Sequence, residues 1–530
     1  MEPSSWACHF SKKAPCHLLA ETDTKTLSTG ADLDAAQWVA LGPVNEKHDP
    51  MAYLLPLEIS QNIFTHYLPQ VPSQHLFDDP GVLDQLLTQA TGTLISVNRH
   101  WRNIVYSTPQ LWNQICVKTS ATLLSTSHFA RQLAHLELNF QRSRDFPLTI
   151  HLQMNYHDSD SLPANLQLLE MVCREAHRWE NFHIAAPARL LSAIPKYTSQ
   201  LNEGVPHLIS LTLSSTYCRL LPAPEDWSLS IGSPGAPLPS PIYLTIWGVT
   251  ITEKTFDLSR MTYFKPGTLT IPEVVHILSI SPQLTSLTSY VRQMWFNHFV
   301  DRKYAQLPPS DLPFLHSSLK SLNVTMYVQR LFARITLPAL ENLHCSLDKD
   351  EYDALYEFLC RSRCPLKSLS LYLTCTGNRL IELLHLTPGL EELRVESDLT
   401  DVPDLASNFF QHFKESAERD GNGPTFLPQL RTLRFYVPSL TNSEFGLTML
   451  QDSLWSGNER LPCRPLSKVT LDVGNDRQWT EAEQKDLLDL VQGGLEIAIH
   501  YVFNSEPCNM ISNYPNIVKA VEKLQTKTRQ

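Results

Sequence analysis

Long apolar runs are missing from this sequence of 530 residues. No stretch approaches the ~18 consecutive apolar residues that a membrane-spanning helix needs. The opening residues, MEPSSWACHFSKKAPCHLLA, also lack the basic start and the apolar core of a secretory signal. We therefore expect a chain with no membrane segment and no cleaved leader.

Cysteines are few, with 11 scattered along the chain. An odd and dispersed set is typical of free thiols in a reducing compartment, so we expect a cytoplasmic or nuclear protein. Cys8-His9 and Cys16-His17 could together ligate zinc, but they lack the spacing of about two to four residues between zinc ligands. Unpaired residues in a flexible arm are the favoured interpretation, and no metal is expected.

Charge is also modest. Lys and Arg number 43 against 54 Asp and Glu, which gives a formal net charge of −11. An acidic balance argues against nucleic acid and anionic membrane as main partners.

Motifs for catalysis are absent. The sequence has no Gly-rich phosphate loop, no Gly-x-Ser-x-Gly elbow and no His-Glu-x-x-His pair. Cys360 and Cys364 could share a helix face, but buried thiols explain them better than metal ligands, because no partner ligands lie nearby in sequence. We expect neither a cofactor nor an active site. An enzyme with an unrecognised site in the C-terminal region remains a minor alternative.

Two amphipathic stretches stand near the start, LLPLEISQNIFTHYLPQ at 54–70 and LISVNRHWRNIVYSTPQLW at 94–112. Pro56 suits the first turn of a helix, in which Ile59, Ile63 and Tyr67 recur every four residues. In the second stretch one helix face would carry Leu94, Val97, Trp101 and Ile104. That helix should stop near Ser107, before Pro109. The intervening residues predict an extra helix that Gly92 ends.

The later chain repeats a hexad, Leu-x-x-Leu-x-apolar. Its last positions alternate like a strand with one buried face. Apolar helical segments such as 271–282 and 378–389 lie between hexads, and prolines at 282, 338, 388 and 428 would stop these helices. Six hexads are complete, one is looser and one is partial, and they start at Leu208, Leu284, Leu319, Leu340, Leu366, Leu390, Leu430 and Leu466.

Four successive starts, at 319, 340, 366 and 390, are 21, 26 and 24 residues apart. Leucine-rich repeats have a period of about 20–29 residues. A strand-plus-helix unit cannot bury its own apolar side, so stacked units would form a solenoid with a curved parallel sheet. Scattered leucines in an α/β domain are the alternative.

These residues together resemble a known family. The pattern of the two stretches resembles the F-box, and the whole chain is similar to F-box proteins abundant in mushroom-forming fungi, with HRWENFHI and LPALENLHC matching their irregular repeats. The resemblance predicts an α/β protein with a small N-terminal helical F-box before an irregular leucine-rich-repeat-like solenoid. The expected domains are a flexible arm at 1–50, the F-box at 51–118 with an insertion at about 70–93, a substrate-recognition domain at 119–505 and a tail at 506–530.

F-box proteins dock on a Skp-type adaptor, and through it on a cullin, while the domain behind the F-box holds a protein substrate. The resemblance therefore implies a non-catalytic substrate-recognition subunit of an SCF-type ubiquitin ligase, a complex for protein degradation. Apolar surface near the start would then be covered by the adaptor. Carried over by position, the adaptor contacts would include Leu55, Pro56, Ile59, Ile63, Phe64, Val97, Trp101, Leu111 and Trp112.

The residue between the two apolar strand positions of each hexad should face outward on the inner curve of the solenoid. Such faces are frequent binding surfaces, so we expect substrate contacts there, although these polar residues could simply keep the sheet soluble. The set is Thr212, Asn323, His344, Ser370, Arg394, Arg434 and Thr470. A leucine-rich scaffold outside any ligase, with F-box-like helices used for stability or other partners, is the alternative function.

Overall fold

The computed structural model describes residues 55–69, 80–119, 126–154, 162–198, 207–215, 232–233, 236–237, 242–247, 258–292, 313–325, 328–348, 351–373, 379–397, 403–418, 426–437, 455–456, 461–462, 465–474 and 481–502. The predicted arm with its Cys-His pairs, the predicted tail and residues 70–79 of the insertion lie outside these ranges. The chain divides into a helical unit, within residues 1–75 and 83–112, and a sheet unit of residues 76–82 and 113–530.

The helical unit is built from short amphipathic helices. They are α1 (Leu57–Tyr67), α2 (Pro80–Val97) and α3 (Arg99–Ser107), followed by a 3-10 turn at Pro109–Leu111. The expected stop at Ser107 is confirmed. Two expectations are wrong: α2 continues through Gly92, where a Cβ would meet nothing within 4 Å, and the chain breaks at Asn98 instead.

Asn98 explains that break. Its backbone is extended, and its side-chain oxygen accepts a hydrogen bond of 2.8 Å from the Trp101 amide, which caps α3. A short polar side chain at this position satisfies an amide that the helix itself leaves unbonded. The predicted single face from Leu94 to Ile104 is therefore split between two helices.

The sheet unit contains one large parallel sheet with helices between its strands. Fourteen strands follow one another in chain order, and a further short strand pairs beside them. They are β1 (Gln114–Thr119), β2 (Leu148–Met154), β3 (Trp179–Ala186), β4 (Ser210–Ser215), β5 (Tyr243–Trp247), β6 (Tyr263–Pro266), β7 (Thr268–Thr270, paired only with β8), β8 (Ser286–Arg292), β9 (Ser321–Thr325), β10 (Asn342–Leu347), β11 (Ser368–Leu373), β12 (Glu392–Ser397), β13 (Thr432–Val437), β14 (Lys468–Gly474) and β15 (Glu496–Val502).

The connecting helices lie between these strands in sequence. Their bounds are α4 (Thr126–Ser143), α5 (Leu162–Arg174), α6 (Ala188–Leu191), α7 (Ile194–Thr198), α8 (Ile271–Ile280), α9 (Val328–Arg334), α10 (Tyr352–Ser362), α11 (Leu380–His385), α12 (Pro403–Glu418) and α13 (Glu481–Gln492). The prolines at 282, 338, 388 and 428 each lie between a helix end and the next hexad, as predicted. The mixed α/β class with a large parallel sheet is confirmed.

The hexads set the register of the sheet. Leu322, Leu343, Leu369, Leu393 and Leu433 pair across β9 to β13 in one row, and each is at most 1% exposed. The first leucine of every hexad is also buried. One apolar face thus forms the core against the helices, and the alternating residues lie on the opposite face, which we call the polar face.

The sheet unit begins earlier than the predicted domain boundary at residue 119. β1 pairs in parallel with β2 along its full length, from Gln114 to Thr119. The division between units falls between Trp112 and Asn113. Since an added strand shares backbone hydrogen bonds with its neighbour, β1 belongs with the sheet and not with the helices.

Candidate functional site

An exposed apolar stripe runs along α1 in the helical unit. Pro56 precedes the helix, and its carbonyl accepts hydrogen bonds from the amides of Ile59 and Ser60, both at 3.1 Å. Ile59, Ile63 and Tyr67 follow at intervals of four residues and are 45%, 43% and 53% exposed. Residues spaced by four share one side of a helix. We call these three residues the α1 stripe.

The opposite side of α1 forms the interior of the helical unit. Phe64 is buried and its ring lies 4.8 Å from the ring of Trp101. The Trp112 indole is also buried, and its Nε1 donates a hydrogen bond of 2.9 Å to the Val105 carbonyl. The Trp112 indole is therefore satisfied within its own unit, whereas the buried Nε1 of Trp101 has no hydrogen-bond partner among the described residues.

The nine expected adaptor contacts divide by exposure. Phe64, Leu111 and Trp112 are buried, so a partner could reach them only if the unit opened. Leu55 and Trp101 are partly buried. The side chains on the surface are Pro56, Ile59, Ile63 and Val97.

All seven expected substrate contacts lie in one row across the polar face. Asn323 pairs with His344, and the row continues through Ser370, Arg394 and Arg434 in register. At one end of the row, Thr470 pairs with Arg434. At the other end, Thr212 pairs with Thr245, which in turn pairs with Lys265. These residues therefore share one face of the sheet.

The row is not uniformly accessible. Thr212 and Thr470 are buried, which argues against direct contacts from them, whereas Arg394 is exposed and the other four are partly buried. His344 Nδ1 and Ser370 Oγ lie 2.7 Å apart, within hydrogen-bond distance. Burial lowers the pKa of His344; Glu396 opposes this shift and Arg394 adds to it. Arg394 forms an ion pair with Glu396.

Sequence reasoning missed a group of side chains in the middle of the polar face. We call them the aromatic patch, and they are Tyr243, Trp247, Tyr263, Lys265 and Tyr290. The strands β5 and β6 do not carry the leucine hexad, so the hexad search passed over them. The alternation in YLTIW was a usable signal, because it places Tyr243 and Trp247 on one strand face and Leu244 on the other.

Cysteine and metal chemistry find little support in the described ranges. Cys360 is exposed in α10, so the expectation of a buried thiol is wrong there, whereas Cys364 is partly buried. Cys364 lies beyond the helix end at Ser362, so the two cysteines do not share a helix face. Within the described residues, no cluster of three or more His, Cys, Asp or Glu could hold a metal ion. None of the helices described is both long and apolar enough to cross a membrane.

No protein-family model matches the chain, and no curated protein matches it either.

Proposed function

We propose that this chain is a substrate-recognition subunit of an SCF-type ubiquitin ligase. The helical unit would act as the F-box and dock a Skp-type adaptor, which connects to a cullin. The sheet unit would be a leucine-rich-repeat-like solenoid that holds a protein target. The chain itself would perform no chemistry and would act by keeping the target near the loaded conjugating enzyme.

The α1 stripe is the observation that carries this proposal. Three large apolar side chains, each more than two-fifths exposed, lie in line on a single helix. Contiguous apolar surface of this kind marks interaction sites in folded proteins. An amphipathic partner surface would cover it, while the aromatic core beneath, with Phe64 and Trp112, keeps α1 in place.

A second candidate is a leucine-rich scaffold outside any ligase. The burial of Phe64, Leu111 and Trp112 favours it, because much of the apolar content of the two stretches then serves the stability of the helical unit. In that case the α1 stripe would bind a different partner or none.

Co-purification separates the two candidates. The tagged wild-type chain should retrieve a Skp-type adaptor and a cullin, whereas Ile59→Glu/Ile63→Glu should lose both together, because charge cannot be buried against an apolar partner without a large penalty. Leu138→Glu is a matched control, since Leu138 is a helical residue of the sheet unit that is 43% exposed, as Ile63 is. Failure of the wild-type chain to retrieve adaptor and cullin would favour the scaffold, and their retention by the double variant would show that docking does not use the α1 stripe.

A further inference from the structure

The aromatic patch occupies three neighbouring strands of the polar face. Tyr243 of β5 pairs with Tyr263 of β6, and Lys265 follows two residues further along β6. Trp247 on β5 and Tyr290 on β8 lie further along the same direction, each two residues past the position on its strand that is level with Lys265. The patch is thus arranged along the strands as a tyrosine pair, a lysine, and a tryptophan–tyrosine pair.

Two residues of the patch are exposed, the other three are partly buried, and its aromatic rings lie in two pairs. Tyr243 and Tyr290 are 48% and 50% exposed. The ring centroids of Tyr243 and Tyr263 are 5.9 Å apart, and those of Trp247 and Tyr290 are 6.3 Å apart. Tyr and Trp combine apolar area with few rotatable bonds, and they dominate the energetics of protein interfaces.

Gly267 makes room for the indole of Trp247. A Cβ at this position would come within 3.0 Å of Trp247 Cε3 and within 3.4 Å of its Cα. The indole therefore packs against backbone that bears no side chain. This packing holds the ring in place before any ligand arrives, which reduces the entropy lost on binding.

Lys265 gives the patch its charge. Its ammonium group lies 5.9 Å from the centroid of the Trp247 ring. The ion pairs found in the described part of the chain do not include Lys265. A cation above an aromatic ring and without a carboxylate partner is complementary to a ligand that brings an acidic group.

The spacing defines the ligand further. Two residues along a strand span about 6.6 Å, so the two aromatic pairs lie about 13 Å apart with Lys265 midway. In an extended peptide, alternate side chains point to the same side at this same spacing. We propose that the aromatic patch binds an extended protein segment of the pattern apolar-x-acidic-x-apolar, with the acidic residue at Lys265 and one apolar residue on each aromatic pair. As the substrate class of the sheet unit, this assignment rests on the proposed function.

A charge-swap experiment on the full-length chain tests the assignment. The probe is a fluorescent peptide, Ser-Phe-Ser-Glu-Ser-Phe-Ser, and its affinity is measured by anisotropy. Lys265→Glu should weaken binding by about tenfold or more, and the peptide with Lys in place of Glu should bind this variant better than it binds the wild type. Trp247→Ala should weaken both peptides. Lys196→Glu is the matched control, because Lys196 also lies over an aromatic ring, Tyr197, at 6.0 Å from its centroid.

The outcomes are distinct from those for adaptor docking. Any one of three results would overturn the assignment. These are an absence of saturable binding by the peptide, equally good binding of a peptide in which the two Phe and the Glu are adjacent, and equal effects of the Lys196 and Lys265 variants on affinity. Adaptor retrieval is measured in parallel for the wild type and for Lys265→Glu, and both should retrieve the adaptor. Wild-type retrieval without wild-type peptide binding rejects the peptide assignment alone, whereas wild-type peptide binding without retrieval rejects the adaptor proposal alone. Thermal melting of each variant verifies that it is folded.

Discussion

The imidazole rings of His151 and His183 stack at 4.6 Å on neighbouring strands of the sheet unit. Both residues are buried, and His151 Nε2 and His183 Nδ1 make no hydrogen bond. Burial lowers the pKa of His151 to about 4, and burial together with the charge of His151 lowers the pKa of His183 to about 3. The pair is therefore neutral at pH 7.

Acid should destabilise the sheet unit through this pair. An unfolded histidine has a pKa of about 6.5, so below that pH the unfolded chain binds protons that the folded chain does not. The free energy of unfolding should be fully retained above about pH 6.5 and should fall as the pH drops toward about 4. Urea unfolding at several pH values measures this slope.

A double variant isolates the contribution of the pair. In His151→Phe/His183→Phe the fall in unfolding free energy between pH 6.5 and pH 4 should be shallower than in the wild type, because the titrating groups are gone. A substitution on the same face of the sheet that adds and removes no titrating group, Thr245→Val, provides a control and should keep the wild-type slope. Equal slopes for all three proteins would remove the histidine pair as the cause.

The second position of the hexads carries alternating charge across neighbouring strands. Glu341 accepts a hydrogen bond of 2.7 Å from Lys367 and lies 3.4 Å from Lys320, while Arg431 lies 3.9 Å from Glu391. The hydrogen bond from Lys367 is the main reason that the pKa of Glu341 is lowered. Opposite charges on neighbouring strands stabilise their pairing, whereas like charges would destabilise it, so this pattern favours the observed order of strands.

Glu341→Lys should lower the melting temperature of the sheet unit, because three ammonium groups would then adjoin. The decrease should be small and should shrink with added salt, since these charges are exposed and screened. The double variant Lys320→Glu/Glu341→Lys again places an opposite charge beside position 341 and should recover part of the loss. If the double variant melts no higher than the single one, the alternation has no stabilising role.

Gly267→Ala should weaken the aromatic patch with little effect on the fold. The new methyl group would press on the indole and the backbone of Trp247 and displace the ring. Binding of the Phe-Ser-Glu-Ser-Phe peptide should fall. Gly389→Ala is the control, because a Cβ there meets its nearest neighbour, the Leu366 carbonyl oxygen, at an ordinary 3.9 Å. Equal peptide affinity for both variants would show that the position of the indole does not matter.

The sheet was largely predictable because its signal is local. The apolar positions of each hexad predict which side chains are buried. Because the hexad repeats, it also predicts which residues pair on neighbouring strands, as with Asn323, His344 and Ser370. The aromatic patch depends instead on the register between strands that share no motif. Tyr243 and Tyr263 are neighbours only because β5 and β6 pair at that position.

The helical unit was harder to predict at its ends and on its surface. Periodicity placed Ile59, Ile63 and Phe64 on apolar faces but did not distinguish the exposed isoleucines from the buried phenylalanine. That difference depends on which side of α1 packs against α3 and Trp101, which is a tertiary contact. The break at Asn98 was visible in principle as a capping residue, but the apolar spacing across it suggested one continuous helix.

Calorimetric titration of the purified full-length chain with a purified Skp-type adaptor measures docking by the α1 stripe without any other component. We expect saturable binding at one adaptor per chain, a loss of about tenfold or more in affinity for Ile63→Glu, and wild-type affinity for the equally exposed Leu138→Glu. If the folded wild-type chain shows no measurable binding, or if both variants bind with equal affinity, the α1 stripe is not an adaptor site.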